Sequence, residues 1–285
     1  MMIKPGTIQT WNVKHETPDT FTLTKANEHI DLPFQNTTRP LAVGEVVRVF
    51  IYTDKHGKPQ ATMTLPEVTK DSFGFAPVVN VVPSLGVFLD IGAPKDLLVS
   101  KDDLPYLREM WPQLDDKLYS TLTQDKQGRL FAKPATEDEI MDQAEHAPAS
   151  LKNQTITGFV YRVGKVGSFI WTTDKYRAFL HESERTREPR LGEAVEARVI
   201  DVKEDGTINV SFRPNKLESM DKDSHAILLK LTRNQGELPF SDKSDPEDIK
   251  ETFQISKASF KRAIGRLMKQ GIVEQTKEGT IKMKD

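Results

Sequence analysis

The sequence predicts a mainly β chain: three small five-stranded barrels in tandem, then a C-terminal α/β unit. Three observations lead there. One script of glycines, turn residues and closing prolines recurs three times before residue 215. Between those landmarks apolar and polar residues alternate with a period of two, and from about residue 219 the period changes to 3.6.

Each repeat opens on a glycine: Gly6, Gly74 and Gly158. Midway comes an apolar–turn–acidic entry to a strand, at Val43-Gly44-Glu45, Leu114-Asp115-Asp116 and Leu191-Gly192-Glu193. A hairpin glycine follows, within Asp54-Lys55-His56-Gly57-Lys58, Asp125-Lys126-Gln127-Gly128-Arg129 and Glu204-Asp205-Gly206-Thr207. Turns of this kind favour positive φ and match the twist of the flanking strands. Each repeat closes on proline, at Pro66, Pro134 and Pro214. Val47, Val49 and Ile51 fall on one strand face and Val46, Arg48 and Phe50 on the other. Val195, Ala197 and Val199 likewise alternate with Glu196, Arg198 and Ile200. Five short strands with a long polar middle connection fit a barrel of the OB type better than an SH3-like one.

Residues 158–213 resemble an S1 domain, an OB-fold RNA-binding module. Gly167-Ser168-Phe169-Ile170 is similar to that family's Gly-x-Phe-Val strand, and Phe179-Leu180-His181-Glu182-Ser183-Glu184 to its Leu-Val-His-x-Ser-Glu loop. Gly192-Glu193 and Val210-Ser211-Phe212-Arg213 match its closing pattern. The second repeat keeps the strand Leu85-Gly86-Val87-Phe88-Leu89-Asp90 but has Ser100 where histidine is typical. In the first, Phe21-Thr22-Leu23 lacks the glycine, and Leu32 falls at the histidine position.

In the C-terminal segment, Ala226, Ile227, Leu228 and Leu231 mark a first helix over Asp223–Leu231, followed by a short extended piece at Leu238-Pro239-Phe240. Asp245 caps a second helix with Pro246 at its first position and Glu247 and Asp248 on the positive end of its dipole. Ser256 caps a third, whose apolar stripe is Phe260, Ile264, Leu267 and Met268 and which Gly271 stops. Ile272-Val273 and Thr280–Met283 then form a hairpin across Lys277-Glu278-Gly279. The order resembles a winged helix-turn-helix. The predicted domains are 1–70, 71–148 with an acidic linker helix, 149–218 and 219–285. Three S1-like barrels followed by a winged helix, without cysteine, resemble the conserved virulence factor B (YitL-like) family. Membership implies an RNA-binding regulatory protein of the bacterial cytoplasm with effects on virulence genes.

Composition narrows the chemistry. The 285 residues hold 42 acidic and 40 basic side chains, 37% hydrophobic residues and no cysteine. Disulfides, thiolate metal sites and cysteine nucleophiles are therefore excluded. No apolar run approaches the roughly 18 residues of a membrane helix. Pro5-Gly6 interrupts the start before a signal-peptide core forms, so a cytoplasmic protein is expected. The near-balance conceals an acidic middle: residues 71–148 carry 14 acids and 7 bases, while the other three segments are mildly basic. Local basic faces therefore remain available to a polyanion. The six histidines, His15, His29, His56, His146, His181 and His225, include no pair at helical ligand spacing. No phosphate-cradling or nucleophile-elbow motif occurs, so no catalytic residue, metal or cofactor is expected.

Single-stranded RNA is held by aromatic faces for bases and by cations for phosphates. The third repeat supplies both. Phe169 and Trp171 share a strand face opposite Ile170, Tyr161, Arg162 and Lys165 precede them, and Lys175, Tyr176, Arg177 and His181 follow. These residues are the candidate RNA site. Phe88 has Phe169's position in the second repeat, but Asp90, Asp96, Asp102 and Asp103 surround it, so that barrel is expected to act as a weak contributor or spacer. Glu137, Asp138, Glu139, Asp142 and Glu145 read as a solvated acidic helix. Lys257, Lys261, Arg262, Arg266 and Lys269 form the candidate nucleic-acid face of the third C-terminal helix. Single-stranded RNA is the expected partner, by stacking and phosphate contacts with a post-transcriptional effect. Duplex DNA or a protein at the winged helix, or a scaffold that binds no nucleic acid, stand as the other readings. No membrane partner is expected, and no oligomeric state is implied.

Overall fold

The computed structural model describes residues 3–54, 56–213, 222–276 and 279–284. Lys55 and Pro214 of the repeat landmarks, and Lys277 and Glu278 of the expected wing turn, lie outside them. The chain divides into two compact units, with the break after Arg213.

The first unit holds three five-stranded assemblies with the same strand order. Strands β1 (Ile8–Glu16), β2 (Thr20–Lys25), β3 (Glu28–Pro33), β4 (Val46–Thr53) and β5 (Pro59–Thr62) close in the order β1-β2-β3-β5-β4. Next come β6 (Gly74–Val82), β7 (Gly86–Leu89), β8 (Leu97–Ser100), β9 (Lys117–Gln124) and β10 (Leu130–Pro134). A short helix α1 (Glu137–Met141) leads to β11 (Thr155–Val163), β12 (Gly167–Thr172), β13 (Arg177–His181), β14 (Ala194–Val202) and β15 (Ile208–Ser211). The third assembly closes as the first does.

The parallel seam between the third and fifth strands is the variable element. It carries three residue pairs in the third barrel (β13/β15), one in the first (β3/β5), and no ladder in the second, where β8 and β10 only lie alongside each other. The second assembly thus departs from the expected closed barrel. Parallel pairing is the less stable kind, and Pro134 at the end of β10 removes a donor from that edge.

Alternation sets which residues fill each barrel. Val47, Val49 and Ile51 of β4 join Trp11, Leu23 and Leu32 inside the first barrel. The C-terminal half of the opposite face of β4 is buried as well: Phe50 and Tyr52 pack into the core of the second assembly with Val87, Leu89, Val99 and Leu118, while Val46 and Arg48 stay exposed. Leu191, from the third repeat, enters that same cluster. The third barrel has its own core of Val160, Ile170, Leu180, Val199, Ile208 and Val210. Each fully buried Val, Leu, Ile or Phe contributes about 1.5–3 kcal/mol relative to exposure. Outward faces shared between barrels therefore add to the cohesion of the unit.

A polar bridge spans the second and third assemblies. Arg190 donates to Asp116 from Nε (3.3 Å) and Nη2 (3.2 Å), and the Lys117 amide donates to the Gly192 carbonyl at 2.8 Å. Glu193, buried behind Arg190, accepts from Arg187 Nη1 at 3.0 Å and from the Arg190 amide at 2.9 Å.

The second unit holds α2 (Lys222–Arg233), β16 (Glu237–Leu238), α3 (Pro246–Phe253), α4 (Lys257–Lys269), β17 (Val273–Gln275) and β18 (Ile281–Met283). Its strands order as β16-β18-β17. Asp245 accepts from the Glu247 amide at 2.8 Å and Ser256 from the Ser259 amide at 3.1 Å, which are the two caps the sequence predicts. The stripe of α4 that meets Ile227, Leu231, Ile249 and Phe253 is Phe260, Ala263, Ile264 and Leu267. Met268, expected in that stripe, is 43% exposed. It lies one residue past Leu267, about 100° round the helix, where Ala263 fits in its place.

Burial pushes the Glu193 carboxyl up, but the Arg187 hydrogen bond, the Arg190 amide and both guanidinium charges outweigh it and hold it below the usual carboxylate range. A carboxyl with a lowered folded value stabilises the fold fully above its unfolded value and loses that contribution as pH falls through the folded one. Stability measured by urea unfolding is therefore expected to fall as pH drops below about 4.5, the ordinary glutamate value. In Glu193→Gln that acid dependence should become shallower. An identical pH slope in the two proteins would show that Glu193 is not coupled to folding.

Candidate nucleic-acid interface

The outer face of β11–β13 collects the aromatic residues. In β11, a bulge between Val160 and Arg162 leaves Tyr161 as the extra residue, with Arg162 opposite Phe169. A bulge sets two residues against one, so Tyr161 and Arg162 both reach Phe169. On the other side Phe169 pairs with Phe179 and Gly167 with His181. The rings form a ladder with centroid separations of 6.1 Å for Tyr161–Phe169, 5.0 Å for Phe169–Phe179 and 6.1 Å for Phe179–His181.

Gly167 explains why this motif begins with glycine. A Cβ there would meet Phe179 ring carbons at 2.4 and 2.6 Å and the Leu180 carbonyl at 2.6 Å. Phe179 was not among the sequence candidates, although its alternation with Ala178 and Leu180 places it on the face of His181. His181 itself is exposed, and its Nδ1 accepts from the Ser183 amide at 3.2 Å.

Two guanidinium groups lie over Phe169: Arg177 at 4.5 Å and Arg162 at 5.2 Å from the ring centroid. Cations so placed are attracted by the ring quadrupole. Both are also linked to one carboxylate. Glu137 Oε1 accepts from Arg177 Nε (3.0 Å) and Nη2 (2.9 Å), its Oε2 accepts from the Tyr161 hydroxyl at 2.8 Å, and Arg162 Nη1 stands 3.6 Å away. Burial, then the hydrogen bond to Glu137 and its charge, push the Tyr161 phenol far above its ordinary range against the opposing Arg177. Tyr161 therefore stays a donor.

Glu137 belongs to the acidic segment expected to be a solvated helix, and there the structure differs. Thr136 and Glu139 close a capping box around α1, and Ile140 is fully buried. Ile140 packs in a cluster with Ala135, Tyr161 and Trp171, bordered by Phe73, Phe75, Tyr119 and Phe169. The apolar side of α1 thus joins the second and third barrels, while Asp138, Asp142 and Glu145 remain exposed.

This cluster also corrects two aromatic assignments. Trp171, expected as a stacking platform beside Phe169, is 1% exposed, with Tyr119 at 5.9 Å between centroids. It does share Phe169's strand face, but the second barrel covers that end of it. Tyr161 is 8% exposed and offers no free ring face. Tyr176 packs against the core of the third barrel, away from the ladder. Lys175 sits in the β12–β13 turn beside a cleft that Glu139 and Asp142 also line. Lys165 is exposed in the β11–β12 turn. The structure therefore brings Tyr161, Arg162, Phe169, Arg177 and His181 together, with Tyr161 buried and Phe169 half-buried, and leaves Lys175, Tyr176 and Trp171 outside this group.

The ladder is not repeated in the other barrels. Phe88 pairs with Asn80 and Leu98, and Ser100 faces Gly86 where His181 faces Gly167. In the first barrel, Thr22 takes the place of Phe169 and Asp31 that of Phe179. Pro33, opposite Thr20, holds the histidine position that the sequence pattern gives to Leu32; Leu32 is buried in the core.

In the second unit, Arg262, Arg266 and Lys269 are exposed on α4. Arg262 Nη2 donates to Ser259 Oγ at 3.1 Å. Lys261 approaches Asp242 at 3.7 Å, and Lys257 Nζ reaches the Lys243 carbonyl at 3.5 Å. Among the described residues no group of three or more His, Cys, Asp or Glu side chains could hold a metal, and no helix is long and apolar enough to cross a membrane.

Trp171→Ala is expected to lower the unfolding free energy of the N-terminal unit by about 3–5 kcal/mol, as for other buried Trp deletions. Urea denaturation measures it. A loss below roughly 1 kcal/mol would place the ring at the surface.

Comparison with known proteins follows the same division. Residues 5–64 match the S1 domain model, and residues 73–133 the model described as the first S1-like domain of CvfB. Residues 140–214 match the second domain of virulence regulatory factor CvfB, and 225–281 the CvfB-like winged helix domain. The chain is 43% identical over 282 residues to the uncharacterised YitL protein of Bacillus subtilis, covering 99% of this chain and 95% of that one. It is 43% identical over 234 residues to conserved virulence factor B of Staphylococcus epidermidis, covering 81% and 78%. A crystal structure of a multidomain protein with nucleic acid binding domains from Streptococcus pneumoniae superposes with a TM-score of 0.69 at 36% identity, covering 98% of both chains. S1-like and winged-helix domains are nucleic-acid-binding kinds, and the order in which they occur here places the chain in the conserved virulence factor B (YitL-like) family.

Proposed function

We propose that this chain is a non-enzymatic regulator that binds single-stranded RNA across the outer face of its third barrel. One observation carries the reading: the ring ladder of half-buried Phe169 and Phe179 and exposed His181, flanked by Arg162 and Arg177. Bases stack on such rings without regard to sequence, and guanidinium groups and Lys165 meet the phosphates. Occupancy of single-stranded stretches of messenger RNA would alter expression post-transcriptionally, in the bacterial cytoplasm. The names of the staphylococcal relatives extend this to virulence genes.

The cations of α4 favour a second reading, contact with duplex DNA through the winged helix, where such a helix enters the major groove. As a supplementary RNA surface in tandem with the barrel, the same face would raise avidity through effective concentration.

Titration of labelled single-stranded RNA, with duplex DNA alongside, tests the reading. Three phosphate contacts give a log–log salt slope of about −2, so affinity should fall about 20-fold between 50 and 200 mM salt. Phe169→Ala and Phe179→Ala should each weaken RNA binding about 5- to 150-fold, the cost of one lost stacking platform. A preference for duplex DNA that ignores both changes and is lost on Arg262/Arg266 charge removal would transfer the function to α4.

Glu137 neutralises part of this site and competes with phosphate for Arg177. Glu137→Gln is expected to raise RNA affinity and to steepen the salt slope. Unchanged or weaker binding would mean that Glu137 positions the guanidinium groups rather than competing for them.

A further inference from the structure

The segment between β8 and β9, in the barrel expected to be a spacer, presents a second aromatic platform. Tyr106 is 99% exposed and its neighbour Leu107 53% exposed. The segment carrying them is firmly held. Leu104 and Trp111 on either side are buried, and Trp111 Nε1 donates to the Pro105 carbonyl at 2.7 Å. A 3-10 turn, Arg108–Met110, follows Leu107. The Leu191 amide, from the third repeat, donates to the Met110 carbonyl at 3.0 Å. Tyr106 is thus a bare ring on a fixed support.

A cleft of about 640 Å³ opens beside it. Leu107, Met110 and Val163 give the cleft apolar walls, and Lys165 and Arg185 bring positive charge. The Arg185 side chain is only 7% exposed: it pairs with Glu188, donates to the Gly164 carbonyl at 2.8 Å, and leaves Nε without a partner. Lys165 has no ion-pair partner among the described residues and is exposed. Glu109 is the remaining acid on the rim.

One turn links the cleft to the ladder. Gly164, Lys165 and Val166 form the β11–β12 turn, and the Val166 carbonyl accepts from the amide of Glu182, the residue after His181, at 2.9 Å. One turn therefore borders both the last ring of the ladder and the cleft. A flat apolar group attached to a negative backbone suits these walls and cations, and a nucleobase on its phosphodiester is such a group.

We propose that this cleft takes a base of the same single strand, stacked on Tyr106, so that the second barrel supplies part of the RNA site of the third. The inference rests on the RNA reading above. It assigns a role to a barrel whose own outer face is acidic, and it extends the track across the boundary that Trp171 and Ile140 seal.

The test uses the full chain and a labelled twelve-nucleotide oligouridylate. Tyr106→Ala should weaken binding at least about 5-fold, the lower limit for a lost stacking residue, while Tyr106→Phe, which keeps the ring, should bind as the wild type does. Tyr106→Trp adds a direct readout. Trp11, Trp111 and Trp171 are 1%, 8% and 1% exposed, so an exposed indole would emit to the red of them and be quenched as RNA binds. Wild-type affinity in Tyr106→Ala, with binding lost in Phe169→Ala, would overturn this inference and leave the ladder standing. A wild-type chain that fails to bind the oligonucleotide would overturn the RNA reading, and this inference with it.

Discussion

Burial of outward-facing side chains between barrels is the constraint on which the N-terminal unit depends. A five-stranded barrel of about 65 residues has little interior, and small domains are correspondingly marginal. Here strands bury both faces. Phe50 and Tyr52 leave the first barrel to fill the second, Leu191 enters the same cluster from the third, and Trp171 and Ile140 lock the second to the third. Large rings are efficient in this role because each removes a wide area from water. The second assembly, lacking a closed seam, is covered on two sides by its neighbours, which compensates for its missing ladder.

The partly exposed rings of the third barrel follow from the same geometry. Trp171 and Phe169 share a face, yet one end of that face is roofed by the second barrel and the other is open to solvent. Glu137 marks the border. Its carboxylate links Tyr161, which belongs to the buried cluster, to Arg177 and Arg162, which lie over the open ring. The cationic site and the packing that positions it therefore meet at one side chain.

The architecture was largely legible in the sequence, for local reasons. Period-two alternation, turn glycines and N-caps are each decided within a few residues, and the strands, the α4 cap at Ser256 and the stop at Gly271 all follow from them. What escaped were relations between distant segments. Alternation shows that Trp171 points out of its barrel but not what lies against it. Five acids in ten residues outweighed Ile140, whose apolar side chain and the Thr136–Glu139 capping box signal a helix with a buried side. Phe179 could have been found by extending the alternation of β13. Leu32 was displaced by one residue from its true equivalence because the first barrel lacks the glycine that marks the position in the other two.

The bulge in the opening strand recurs at equivalent places in the three assemblies: between Val13 and His15, between Val78 and Asn80, and between Val160 and Arg162. Such an irregularity makes strand length locally editable. Deleting Lys14, Val79 or Tyr161 would restore plain alternation with every remaining side chain still on its own side of the wall, whereas a deletion elsewhere in these strands would turn half of the strand inside out. The extra residue is thus free to differ between copies without disturbing the barrel that carries it. The three repeats hold a lysine, a valine and a tyrosine there, and the tyrosine lies in the cluster that joins two barrels.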